Sequence, residues 1–131
     1  MNKIFLGGTC AESTWREELI KNLHVSYFNP VVEDWTEEMQ AIEEDEKTYK
    51  CTIHLYVITK EMKGVFSIAE AVESVFNKSK RTIFFVIEEG FEEFQIKSLK
   101  AVEKLILNHG GIIKSDTSET IEDLADFLNS L

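Results

Sequence analysis

The run Cys51-Thr52-Ile53-His54-Leu55-Tyr56-Val57-Ile58-Thr59 constrains the fold more than any other segment. It is rich in β-branched and aromatic residues and becomes apolar toward both faces at its end. A strand of that kind needs cover on both sides, as a central strand of a parallel sheet has. Two further runs behave alike: Ile4-Phe5-Leu6, closed by Gly7-Gly8, and Thr82-Ile83-Phe84-Phe85-Val86-Ile87, the most apolar of all. Val25 to Phe28 is a shorter strand, stopped at Asn29-Pro30 because proline donates no ladder hydrogen bond and restricts the residue before it. Ile112-Ile113, after Gly110-Gly111, is the fifth.

Between these runs apolar residues recur at helical spacing. Trp15, Leu19, Ile20 and Leu23 mark a first helix behind a capping box, Thr14-Trp15-Arg16-Glu17. Thr36 opens a very acidic second helix reaching about Lys50. Its weak stripe of Met39, Ile42 and Tyr49 sets one face on the domain and leaves Glu43-Glu44-Asp45-Glu46 to solvent. Val65 to Phe76, Phe94 to Leu107 and Ile121 to Leu131 complete the helices. Five strands alternating with five helices need crossovers on both faces of a parallel sheet. The expected architecture is therefore an α/β three-layer sandwich with a five-stranded parallel sheet in the order 2-1-3-4-5, one domain over residues 1–131.

That strand order locates a site. The chain reverses its direction across the sheet between the first and third strands, so the loops after them diverge and leave a crevice. Gly7 to Thr14 and Thr59 to Ser67 are those loops. Gly7-Gly8, followed by Thr9, either admits a ligand close to the backbone or simply makes the turn, and the unpaired N–H groups of the following helices suit a ribose or phosphate. Glu70 lies in the first turn of the helix after the third strand. It either closes a capping box with Ser67 or turns its carboxylate into the crevice, where it is ionised and nucleophilic at pH 7.

Fourteen Lys and Arg against 24 Asp and Glu give a formal charge of −10, which repels polymeric nucleic acid but leaves a mononucleotide free to bind through local N–H groups. Cys10 and Cys51 belong to no CxxC pair, the first apolar run is too short for a signal peptide, and nothing approaches the ~18 apolar residues of a membrane span. A cytoplasmic protein with reduced thiols and no membrane partner is expected. No cluster has metal-site spacing and no cofactor is implied. His54, inside the third strand, reads as a hydrogen-bonded core histidine.

Four segments together resemble the nucleoside 2-deoxyribosyltransferase-like family across roughly residues 3 to 87: Ile4-Phe5-Leu6-Gly7-Gly8-Thr9, Tyr27-Phe28-Asn29-Pro30-Val31-Val32-Glu33-Asp34-Trp35, Leu55-Tyr56-Val57-Ile58-Thr59 and Gly64-Val65-Phe66-Ser67-Ile68-Ala69-Glu70-Ala71. The resemblance implies a flavodoxin-like sheet and a small-molecule nucleoside or nucleotide as substrate. It implies cleavage or transfer at the N-glycosidic bond, with Glu70 attacking C1′. It also implies a homo-oligomer, since related enzymes often complete their sites with a neighbouring subunit. Substrate contacts are expected at Gly7, Gly8, Thr9, Gly64 and Ser67. Asn29 either touches the sugar or fixes its turn, and Trp35, like Trp15, either stacks on a base or anchors packing.

The chain departs from the family at two places. Its transferases carry an aspartate six residues before the glutamate, where this chain has Gly64, and another at the start of the third strand, where it has Cys51-Thr52. Protonation of the leaving base then falls to Glu33, Asp34 or Glu61. Two functions follow: a nucleoside deoxyribosyltransferase or nucleoside/nucleotide N-glycosidase, and a non-catalytic sensor or sequestering module that binds a nucleotide in the same crevice. Flavodoxins and response-regulator receivers share the topology. However, Thr9 to Thr14 lacks the glycine of a flavodoxin phosphate loop, and neither Gly7-Gly8-Thr9 nor Thr59-Lys60-Glu61 supplies a receiver's aspartates.

Overall fold

The structure is a computed structural model describing residues 1–10 and 12–131; Ala11, in the first crevice loop, lies outside the described residues. The apolar runs become β1 (Lys3–Gly8), β2 (Ser26–Phe28), β3 (Ile53–Ile58), β4 (Arg81–Val86) and β5 (Ile112–Ser115). They pair in parallel throughout, in the order β2-β1-β3-β4-β5. The helices are α1 (Trp15–Ile20), α2 (Glu37–Asp45), α3 (Phe66–Phe76), α4 (Glu93–Asn108) and α5 (Ile121–Asn129), and α2 runs on into a π-helical turn, Glu46–Lys50.

Alternation along the strands builds two cores, one on each face of the sheet. Ile4, Leu6, Leu55, Val57, Ile83 and Phe85 meet Trp15 and Leu19 of α1 and Leu124 and Leu128 of α5. Phe5, Tyr56, Ile58, Phe84 and Val86 meet Ala71 and Val75 of α3 and Leu99 and Ile106 of α4. The result is the flavodoxin-like α/β sandwich, with β1 and β3 side by side at its centre. Among the described residues, no helix is long and apolar enough to cross a membrane.

Several local expectations fail for physical reasons. α1 stops at Ile20, and Leu23 packs on the core from beyond the helix. Thr14 makes no side-chain cap. The cap of α3 is Val65, so Ser67 already lies inside the helix and the Ser67–Glu70 capping box does not form. Reciprocal boxes form instead at Glu92 with Gln95 and at Thr120 with Asp123. The stripe of Met39, Ile42 and Tyr49 does not seat α2 on the domain, since neither α2 nor the π turn contains a buried residue.

Candidate active site

The C-terminal end of β1, backed by β3, floors a hollow of about 330 Å³. One wall comes from the strand ends. Gly7 lies opposite Tyr56 and Gly8 opposite Val57. A Cβ on Gly7 would come within 2.6 Å of the Tyr56 ring. Gly8 has φ +116°, and a side chain there would overlap the Val57 carbonyl. Both glycines are therefore demanded by the neighbouring strand, whatever ligand approaches them.

The loop beyond them is tied to the same strands. Arg16, buried in α1, donates from Nε to the Leu6 carbonyl (3.0 Å) and from its terminal nitrogens to the carbonyls of Thr9 (2.7 Å) and Gly8 (3.3 Å). Its guanidinium lies 4.4 Å from the Trp15 ring centroid, and the Trp15 indole N–H donates to the Thr9 carbonyl at 2.9 Å. Burial lowers the Arg16 pKa below its ordinary value, with the nearby Cys10 sulfur pulling the other way. The Thr9 hydroxyl oxygen accepts the Thr59 backbone N–H at 2.9 Å, which joins the two crevice loops.

The opposite wall is polar. The π turn carries Lys47, whose ammonium donates to Glu70 Oε2 at 2.9 Å and lies 3.3 Å from Glu44 Oε1. The Lys47 and Glu70 side chains are only 13% and 14% exposed, so their pair is partly screened from water. Burial opposes the Lys47 charge, but the hydrogen bond and charge of Glu70, with Glu44, overcome it and hold the pKa above its ordinary value. Among the described residues Lys47 is the only hydrogen-bond partner of the Glu70 carboxylate, which leaves Oε1 free.

His54 explains how the π turn is placed. Its Nε2 lies 2.8 Å from the Lys47 carbonyl, which can only accept, so Nε2 carries the proton. Nδ1 then accepts from the Ser74 hydroxyl at 3.1 Å, and Ser74 accepts from Thr82 at 2.7 Å. Burial first, and then the charges of Lys80 and Lys47, push the His54 pKa down to about 4 against the opposing pull of that carbonyl. The histidine is thus the hydrogen-bonded core residue expected, and it also anchors the backbone that presents Lys47.

The acidic run divides instead of facing solvent as a block. Glu44 and Asp45 are exposed, Glu46 turns inward to pair with Lys3 at 2.7 Å, and Glu43 lines the hollow. Burial, and next the charge of Glu70, raise the Glu43 carboxyl above its ordinary pKa, against the pull of Lys47. The signal was present in sequence. Gln40, Glu43, Glu44 and Lys47 recur at the spacing of one helical face, and all four line the hollow. It is the polar stripe of α2 that turns to the site.

The sequence-derived candidates separate accordingly. Gly7, Gly8, Trp35, Ser67 and Glu70 line the hollow. Thr9 and Gly64 line an adjoining one of about 200 Å³ that shares Gly8 and Ser67 with it. Asn29 lines neither; its side-chain oxygen accepts the Val31 N–H at 3.1 Å, which is the turn-fixing role. Trp15 is the packing anchor, whereas Trp35 is 61% exposed at the rim of the hollow. Glu33 and Asp34 do not line the hollow, and Glu61 faces a separate depression, accepting from the Thr59 hydroxyl at 3.4 Å. Cys10 and Cys51 are both free thiols, and burial, followed by the Glu46 charge, pushes Cys51 up to about 11.

A parallel sheet in this order, with an ion-paired carboxylate beside its crossover point, defines a flavodoxin-like α/β domain with a polar hollow at the end of β1. Residues 1–91 match the family described as nucleoside 2-deoxyribosyltransferase like, and the chain belongs to that family. Every element that shapes the hollow lies inside the matched segment, while α4, β5 and α5 lie beyond it. No curated protein matches the chain.

Proposed function

We propose that the protein cleaves or transfers the N-glycosidic bond of a (deoxy)nucleoside or nucleotide in the hollow beside Glu70. The observation that carries this reading is the presence of Glu70 and the pKa-raised Glu43 in one hollow. Glu43, whose carboxyl burial raises above its ordinary pKa, suits a proton donor, and Glu70, held through one oxygen by Lys47, suits a nucleophile. At about 330 Å³ the hollow lies at the lower end of the ~300–1,000 Å³ range of ligand pockets. Trp35 and Phe66, 61% and 73% exposed, offer apolar faces to a base at its rim.

In this mechanism Glu70 Oε1 attacks C1′ while Lys47 holds Oε2. The C1′–O bond forms as the C1′–N bond breaks, and the bonding pair leaves with the base nitrogen, which takes its proton from Glu43. Water or an acceptor base then attacks C1′, Glu43 recovers a proton, and Glu70 departs as carboxylate. Glu43 thereby fills the role that the missing aspartates leave vacant. Gly64 and Cys51-Thr52 instead favour a second reading, nucleotide binding without turnover.

One experiment decides between them. The protein is incubated with deoxynucleosides, ribonucleosides and their 5′-phosphates, with and without an acceptor base, and free or exchanged base is measured by chromatography. Turnover that Glu70→Gln abolishes is the expected result. Binding without turnover across the panel establishes the second reading.

A further inference from the structure

At the end of the sheet opposite Glu70, where β3 and β4 begin and α3 and α4 finish, lies a cavity of about 430 Å³. Lys78, Lys80, Arg81 and His109 line it, and no carboxylate does. That is contrary to the trend of a chain with 24 Asp and Glu against 14 Lys and Arg. The Glu70 hollow, by comparison, is lined by Glu43, Glu44 and Glu70.

The two lysines are held in place by backbone. The Lys78 ammonium donates to the carbonyls of Val75 (3.1 Å) and His109 (2.6 Å). Lys80 donates to those of Thr48 and Cys51, both at 2.7 Å. Capping of chain-end carbonyls accounts for these two lysines, and if it were all, nothing further would follow. But an ammonium has three donors, so each lysine retains one N–H. Arg81 is exposed and, among the described residues, makes no side-chain hydrogen bond or ion pair, so capping does not account for it. The adjacent carboxylate, Glu46, is engaged by Lys3 at 2.7 Å. None of Lys78, Lys80 and Arg81 has a carboxylate partner among the described residues.

We infer that this cavity is a second ligand site, separate from the Glu70 hollow, that holds a small diphosphate-bearing anion. Fixed ammonium groups beside a free guanidinium fork match adjacent phosphate groups, because the fork binds two oxygens at once while each ammonium acts as a point charge. The remainder of the acidic surface repels such an anion, so the attraction is local and falls with added salt.

The test is calorimetric titration of the full chain at low ionic strength with inorganic pyrophosphate and, separately, with adenosine diphosphate. Amide chemical shifts are followed at Ser79, Arg81 and Gly110. Saturable one-to-one binding is expected, weakened about tenfold or more by Arg81→Glu, which has no internal bond to lose, and unchanged in Glu70→Gln. Lys78→Gln serves as a second variant and should weaken binding in the same direction. Tighter binding of adenosine diphosphate than of pyrophosphate, weakened in turn by Arg81→Glu, also supports the site and assigns it to nucleotides. Absence of saturable binding overturns the inference, as does affinity indifferent to both cation variants. Loss of binding in Glu70→Gln overturns it as well, because the anion would then occupy the other hollow.

Discussion

The two walls of the Glu70 hollow are built on different physics. The wall at the ends of β1 and β3 is set by steric closeness: Gly7 and Gly8 are buried against Tyr56 and Val57, and Arg16 fastens the loop beyond them through three carbonyls. The wall from α2 and the π turn has no buried residue. It is held by Lys3 on Glu46, Lys47 on Glu70, and the His54 N–H on the Lys47 carbonyl. One wall cannot accept an added methyl group, while the other is a set of polar bonds that tolerates movement. Changes to the first should cost the fold, and changes to the second should cost chemistry or stability in a pH-dependent way.

The sharpest break lies in the first wall. Gly8→Val places a β-branched side chain at φ +116° against the Val57 carbonyl, and urea unfolding should show a loss of more than about 4 kcal/mol or no folded protein. Gly64→Ala is the counterpart: a Cβ there meets nothing within 4 Å, so its stability should stay within about 0.5 kcal/mol of the parent.

His54 tests the second wall. Its folded pKa, about 4, lies below the ordinary value of 6.5. The unfolded chain therefore binds the extra proton between those pH values, and stability rises with pH across that window. The contribution is complete above about pH 6.5 and about 3 kcal/mol of it is lost as pH falls through 4. Unfolding measured across pH 4 to 7 should show a shallower slope in His54→Gln than in the parent.

Smaller effects refine the contrast. Glu43→Gln should lower turnover about a hundredfold, or ~2.7 kcal/mol in the barrier, with nucleoside affinity and unfolding midpoint retained. Lys3→Met removes the partly buried pair to Glu46 and should cost about 1 kcal/mol, an effect that high salt diminishes in the parent.

The same contrast explains what could be seen in the sequence. β3 and β4 were legible because their runs are apolar on both faces, and strand order then located the crevice and Glu70 beside it. The second wall was not. The apolar residues of α2 are too sparse to orient it, so nothing in the run Glu43-Glu44-Asp45-Glu46 sets Glu43, which lines the hollow, apart from a solvated face. Nothing local announces the π turn, since it depends on the bond from Lys47 to His54, seven residues on. The reason for Gly8 was equally hidden, because the carbonyl that forbids a side chain belongs to Val57, across the sheet. The capping pattern of Ser67 with Glu70 was legible but misleading, because α3 begins two residues too early for Ser67 to cap it.

The central claim is that Glu70 forms a covalent bond to the sugar. Incubation with a 2-deoxy-2-fluoronucleoside, followed by acid quench and peptide mass spectrometry, addresses it directly. A single fluoropentosyl adduct on the peptide carrying Glu70, absent from Glu70→Gln, is the predicted result. Base release with no adduct on that peptide, or turnover undiminished in Glu70→Gln, would contradict it.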